Sequence, residues 1–141
     1  MKLNYREFGG EGTPIVILHG LFASSKNWVS VGKALSSQGR PFALDLRNHG
    51  DSPHSDSHTL EDLVEDLQAL QAEHGLRPDL IFFTGDAAFG EIGSGPGETL
   101  EEQFQEAGEL LRRVREAFEP AVSPHDLFLV PGNHDVNRKQ V

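Results

Sequence analysis

The chain has 141 residues, 37% of them hydrophobic and nine of them Phe, enough for one core and one domain of the commonest size. It has no cysteine, which excludes a disulfide framework, a thiol nucleophile and thiolate metal sites and fits a reducing, cytoplasmic setting. The formal net charge of −10 argues against a phosphate-backbone binder, so nucleic acid is not an expected partner.

The opening MKLNYREF carries no apolar h-region and does not read as a signal peptide. No apolar run approaches the ~20 residues of a membrane span, so no membrane partner is expected. Residues 2–8 alternate polar and apolar, the pattern of an edge strand. Residues 14–18 (PIVIL) form a short continuous apolar run, as in a buried parallel strand. Ser24 or Ser25 can cap a helix with Trp28, Val31, Ala34 and Leu35 on one face; Gly39, Arg40 and Pro41 end it. Residues 42–46 (FALDL) read as the next strand, and 47–58 as a polar loop rich in turn formers.

Thr59 opens a helix with Leu60, Leu63, Val64, Leu67 and Leu70 at helical spacing, stopped by Gly75 and Pro78. Residues 79–84 (DLIFFT) are a further buried strand, followed by a long Gly-rich loop through Gly97. Thr99 and Glu102 make a capping box for a helix with Leu100, Phe104, Ala107, Leu111, Val114 and Phe118 on its apolar stripe. Pro120 closes that helix, and residues 127–130 (LFLV) form the last short strand. The order β-β-α-β-α-β-α-β predicts an α/β fold: a three-layer sandwich with a mainly parallel sheet of about five strands and helices on both faces. The acidic residues fall mainly on the two longer helices, where they form a solvated face or a surface for a partner.

Two segments carry specific motifs in the first half. LHGLFASSKNW (Leu18 to Trp28) and LDLRNHGDSPHS (Leu44 to Ser55) resemble the N-terminal part of α/β-hydrolase-fold serine esterases. The resemblance implies that the loop at His19, Gly20, Leu21 and Phe22 begins an oxyanion hole. Gly20 would permit the sharp turn, and a backbone N–H of Leu21 or Phe22 would face the oxyanion. It also implies a largely structural loop at Asp45, Arg47, Gly50 and Ser52. The nucleophile elbow G-x-S-x-G that this family places after the following strand is absent. The turn reads Gly85-Asp86-Ala87-Ala88-Phe89-Gly90, and Ser94 is flanked by Ile92 and Pro96 where glycines belong.

In the second half, RPDLIFFTGD (Arg77 to Asp86) and LFLVPGNHDVNR (Leu127 to Arg138) resemble calcineurin-like metallophosphoesterases. There a dinuclear metal centre draws ligands from several strand ends. The resemblance implies Asp86 as a metal bridge, Asn133 as a metal ligand, His134 as the catalytic group acting on the leaving group or phosphate, and Asp135 as its orienter. The family's earlier D-x-H would fall at Asp45-Leu46-Arg47, where Asp45 remains a candidate ligand but a guanidinium stands in the histidine's place. Asp56-Ser57-His58 has the right letters but lies in a loop away from any strand end. The family's later G-H-x-H does not occur in these residues.

Residues 1–141 are therefore expected to form a single α/β domain, with an α/β-hydrolase-like segment over 1–70 and a metallophosphoesterase-like segment over 71–141. A junction inside the helix at 59–74 keeps its apolar stripe. The expected function is that of a recombined domain built from two hydrolase fragments without efficient catalysis. The alternatives are metal-dependent phosphoesterase activity or metal binding at the GD and GNHD strand ends, and weak esterase activity. No cofactor is required under the first reading; a divalent metal (Mn, Zn or Fe) is implied under the second. A truncated sheet would leave an edge through which a homodimer could form.

Overall fold

A computed structural model describes residues 1–20, 23–85 and 99–130. Among these residues five strands make one sheet in the order β1-β3-β2-β4-β5: β1 (Tyr5–Glu7), β2 (Pro14–His19), β3 (Arg40–Leu44), β4 (Leu80–Thr84) and β5 (Leu127–Val130). Only β1 runs antiparallel, against β3, and the other three pairings are parallel. The helices are α1 (Val29–Leu35), α2 (Leu60–His74) and α3 (Leu100–Glu116). The expected fold class and element order hold.

The register explains which face each helix covers. Val16 lies opposite both Phe42 and Ile81, so these three side chains project to the same face. They join Leu18, Leu44 and Phe83 in one buried cluster with Leu63, Leu67 and Leu70 of α2 and Val114, Ala117 and Phe118 at the end of α3. Both long helices thus cover one face. The alternate residues Ile15, Ile17 and Ala43 face α1 on the other. That distribution follows from right-handed crossovers: β2 to β3 steps one way, while β3 to β4 and β4 to β5 step the other.

The capping boxes at Thr59/Asp62 and Thr99/Glu102 start α2 and α3 where the sequence places them. Three local expectations change. The first helix is a 3₁₀ turn (Ser25–Trp28) followed by two turns of α1, and it packs through Gly32 rather than through Val31. A Cβ at Gly32 would lie 2.3 Å from the Phe8 ring, and Val31 is left exposed. The N-terminal strand shrinks to Tyr5–Glu7. Finally, β3 begins at Arg40 and includes Pro41. Pro41 needs no ladder N–H there, while its carbonyl accepts from Phe8 N–H at 3.1 Å.

Beyond β3, the chain turns at Asp45, which is buried and held by N–H donors instead of continuing the strand.

Candidate functional site

β2 and β4 are neighbours whose following helices go to opposite faces, and their C-terminal ends define the switch point where open α/β sheets bind ligands. Gly20 leaves β2 here directly against Gly85. A Cβ on Gly20 would stand 2.4 Å from the Gly85 carbonyl oxygen and 2.9 Å from that of Thr84, so only glycine lets the two strand ends approach. A cavity of about 170 Å³ opens beside them, lined by His19, Leu46, His49, His58, Phe83 and Leu110 among others.

His19 is fully buried at the end of β2. Its Nε2 accepts the Leu46 N–H at 3.0 Å, and its Nδ1 donates to the Gly20 carbonyl at 2.8 Å. Those partners require the neutral ring with the proton on Nδ1. Burial lowers its pKa below the ordinary value of 6.5, and the nearby His49 acts in the same direction; the Gly20 carbonyl and Asp45 oppose it. With both nitrogens engaged, His19 ties the end of β2 to the segment after β3 and is not free to take a substrate proton.

Asp45 is the hub of that segment. Its carboxylate accepts from Ser25 N–H at 2.5 Å, Asn4 Nδ2 at 2.7 Å and Asp51 N–H at 3.0 Å. Burial pushes its carboxyl up, but the donors together outweigh burial and hold it below the usual range. Ser52 Oγ donates to the Asp45 carbonyl at 2.6 Å and accepts the Asn4 N–H at 2.8 Å. Gly50 closes the loop at φ +55°, where a Cβ would sit 2.3 Å from the Asp45 carboxyl carbon. The spacing D-x-R-x-x-G-x-S therefore builds a packed framework.

Arg47, next in the motif, turns inward. Its guanidinium meets Asp66 of α2 through Nε at 2.6 Å and Nη2 at 2.9 Å, pairs with Asp62 at 2.7 Å, and donates to the carbonyls of Ser57 and Asp62. The Met1 ammonium completes the Asp66 shell. The Ser57 hydroxyl, ahead of the Thr59 N–H, lowers the Asp62 carboxyl.

Of the residues singled out in the sequence, the described region contains Gly20 at the switch point and Asp45 in the framework. Leu21, Phe22, Asp86, Asn133 and His134 lie outside the described residues. In Asp56-Ser57-His58, Ser57 donates to Asp62 at 2.5 Å, and the exposed His58 ring stands 6.1 Å from that of His49. The described residues contain no group of three His, Asp or Glu side chains placed to hold a metal ion. The donors around Asp45 are N–H groups, chemistry that suits a carboxylate as an internal acceptor rather than a metal ligand.

Reading the sequence missed the Arg47–Asp66 pair, although a signal was present. Asp66 sits within the apolar stripe of α2, between Leu63 and Leu70 and next to Leu67, where a charge demands a buried partner.

Fold and strand-end framework together define a domain of the α/β-hydrolase type. Solved structures agree at the level of fold. An alpha/beta hydrolase fold protein from Burkholderia ambifaria superposes with a TM-score of 0.61 at 24% identity, over 92% of this chain and 40% of that one. A marine microorganism esterase gives 0.55 at 22%, over 82% of this chain and 61% of that one. The alpha/beta hydrolase fold family profile matches residues 13–79, and the calcineurin-like phosphoesterase profile matches residues 49–140.

The second match takes in more than half of the chain: the protein belongs to the calcineurin-like phosphoesterase family, with an α/β-hydrolase-like segment preceding and overlapping that region. Curated relatives are similar to part of the chain. The sn-1-specific diacylglycerol lipase ABHD11 of Mus musculus is 43% identical over 85 residues, 57% of this chain and 28% of that protein. A probable alcohol acetyltransferase of Saccharomyces cerevisiae is 47% identical over 73 residues, 48% of this chain and 21% of that protein. The chain thus spans less than a third of the length of these relatives.

Proposed function

We propose that the protein is a composite α/β domain, an α/β-hydrolase segment continued by a calcineurin-like phosphoesterase segment, that folds as one unit without efficient catalysis. The carrying observation is the overlap of the two family matches across residues 49–79, the stretch that contains α2. Leu63, Leu67 and Leu70 of α2 pack with strands from both segments and with α3 in a single core. A helix needs only an apolar stripe of the right period to serve either parent, so a change of origin within it is structurally tolerable. His19 and Asp45 are consumed by internal hydrogen bonds, and the sequence has no nucleophile elbow. The proposal covers origin by design and by natural fusion alike, and it needs no cofactor.

A second reading follows from the family match and from the TGD and GNHD motifs. Asp86, Asn133 and His134 would then retain affinity for Mn, Zn or Fe and some phosphoesterase activity. A weak esterase is the third, suggested by the lipase and esterase among its relatives and neighbours and by the Gly20 loop with Leu21 and Phe22; it lacks a visible nucleophile.

The discriminating experiment melts EDTA-treated protein with and without Mn²⁺ or Zn²⁺, beside the Asp86→Asn, His134→Ala double variant. Hydrolysis of bis(p-nitrophenyl) phosphate and p-nitrophenyl acetate is followed in the same samples. Equal melts and background hydrolysis are expected. A metal-dependent rise of several degrees confined to the wild type would transfer support to the phosphoesterase reading, because a ligand that binds only the native state raises its melting temperature. Metal-independent ester hydrolysis would favour the esterase.

A further inference from the structure

We infer that the N-terminal end of the sheet, opposite the switch point, holds a binding site for a ring-sized aromatic carboxylate. A cavity of about 130 Å³ lies where β2 and β3 begin, walled by Tyr5, Phe42 and Leu70 and bordered by Arg40, His74 and Arg77. Its size matches a single ring, since an engineered apolar cavity of ~150 Å³ accommodates benzene. The walls are suited to one: the rings of Tyr5 and Phe42 lie 6.1 Å apart, and His74 stands edge-on to Tyr5 at 5.0 Å.

The charge around the cavity runs against that of the whole molecule. The chain carries −10, yet two arginines and a histidine border this cavity against one acid, Glu7. Glu7 engages only the Nε of Arg40, at 2.6 Å, while that guanidinium lies 5.0 Å above the Phe42 ring. Its terminal nitrogens make no hydrogen bond, and Arg77 has no ion-pair partner, among the described residues. Guanidinium groups with free N–H pairs are suited to a carboxylate, and an aromatic floor holds the attached ring. This combination selects an anion with a flat apolar body over either feature alone. The site shares no residue with the His19, Gly20 and Gly85 end of the sheet.

The test is an NMR titration of the whole chain with benzoate, benzamide and benzylammonium, on wild type, Arg77→Gln and Arg40→Gln, with melting curves as a check on folding. Benzoate is expected to bind at sub-millimolar to low-millimolar concentration and to shift the amides of Tyr5, Phe42, Gly75 and Leu76. It should bind at least fivefold more tightly than benzamide, with no binding of benzylammonium. Arg77→Gln, at an exposed position, should weaken benzoate at least threefold at unchanged melting temperature. Equal affinity for benzoate and benzamide, shifts centred on the β4 end of the sheet, or full affinity in both folded variants would overturn the assignment.

Discussion

Arg47 and Asp66, one from the loop after β3 and the other from the middle of α2, meet in a two-pronged ion pair at 2.6 and 2.9 Å with both side chains almost wholly withdrawn from water. The pair joins residues that the polar loop separates in sequence and locks the start of α2 against the sheet. Asp66 lies within the stretch shared by the two family matches, and Arg47 stands just before it.

Removing Asp66 takes the two-pronged partner from the buried Arg47 guanidinium and leaves it Asp62 as its remaining ion partner. Asp66→Ala is expected to cost about 3–5 kcal/mol in urea unfolding, whereas the double change Arg47→Met, Asp66→Leu should recover most of that loss. A single variant as stable as wild type would show that the pair is not the tie the geometry indicates.

His19 makes stability depend on pH. The folded protein holds its ring neutral, so its folded pKa lies below the ordinary 6.5 and the unfolded chain takes up the proton first. The His19 contribution is therefore complete above pH 6.5 and is lost as the pH falls through the lowered folded value. Urea midpoints measured between pH 8 and 5 should decline more steeply for the wild type than for His19→Gln; parallel curves would assign the decline to other groups.

Gly20→Ala probes the close approach of β2 and β4. The added methyl would lie 2.4 Å from a backbone oxygen, which no side-chain rotation can relieve. A loss of about 1–3 kcal/mol is expected, read from the shift of the unfolding midpoint. Ala at Gly12, whose Cβ position is empty but whose φ is +88°, serves as a comparison for backbone strain without the clash.

The cap of α2 is a smaller and separable quantity. Thr59 Oγ1 accepts the Asp62 N–H at 3.1 Å, and Asp62 reaches back to the Thr59 N–H at 2.9 Å. Thr59→Ala should cost about 1 kcal/mol, and Thr59→Ser should keep most of the stability.

Among the described residues β5 is an edge strand, and it exposes Phe128, Leu129 and Val130 at 47, 43 and 48%, with apolar side chains on both of its faces. This is the sequence of an interior strand at an edge position, the arrangement that invites pairing with another chain. Sedimentation at tens to hundreds of micromolar should reveal association that Leu129→Lys reduces; a monomer at all concentrations in both forms would dismiss the homodimer.

Much of the fold was legible in the chain because strand and helix periods differ and the breaks between them are marked by Gly, Pro and capping residues. The mainly parallel sheet, the helix start at Thr59 and the capping box at Thr99 and Glu102 follow from such local signals. The short α1 did not. Its packing through Gly32 depends on the Phe8 ring of a distant segment, and an apolar stripe says nothing of which neighbour is near enough to bury it.

The sequence by itself determined the α/β class, the two hydrolase resemblances and the missing nucleophile elbow, since each rests on residue identity and spacing along the chain. Only the tertiary structure decided that His19 and Asp45 are internal anchors, that Arg47 turns to Asp66, and that Arg40, His74 and Arg77 gather around one aromatic-floored cavity. Those roles depend on which donor or acceptor lies within about 3 Å, and this distance is set by packing between segments far apart in sequence.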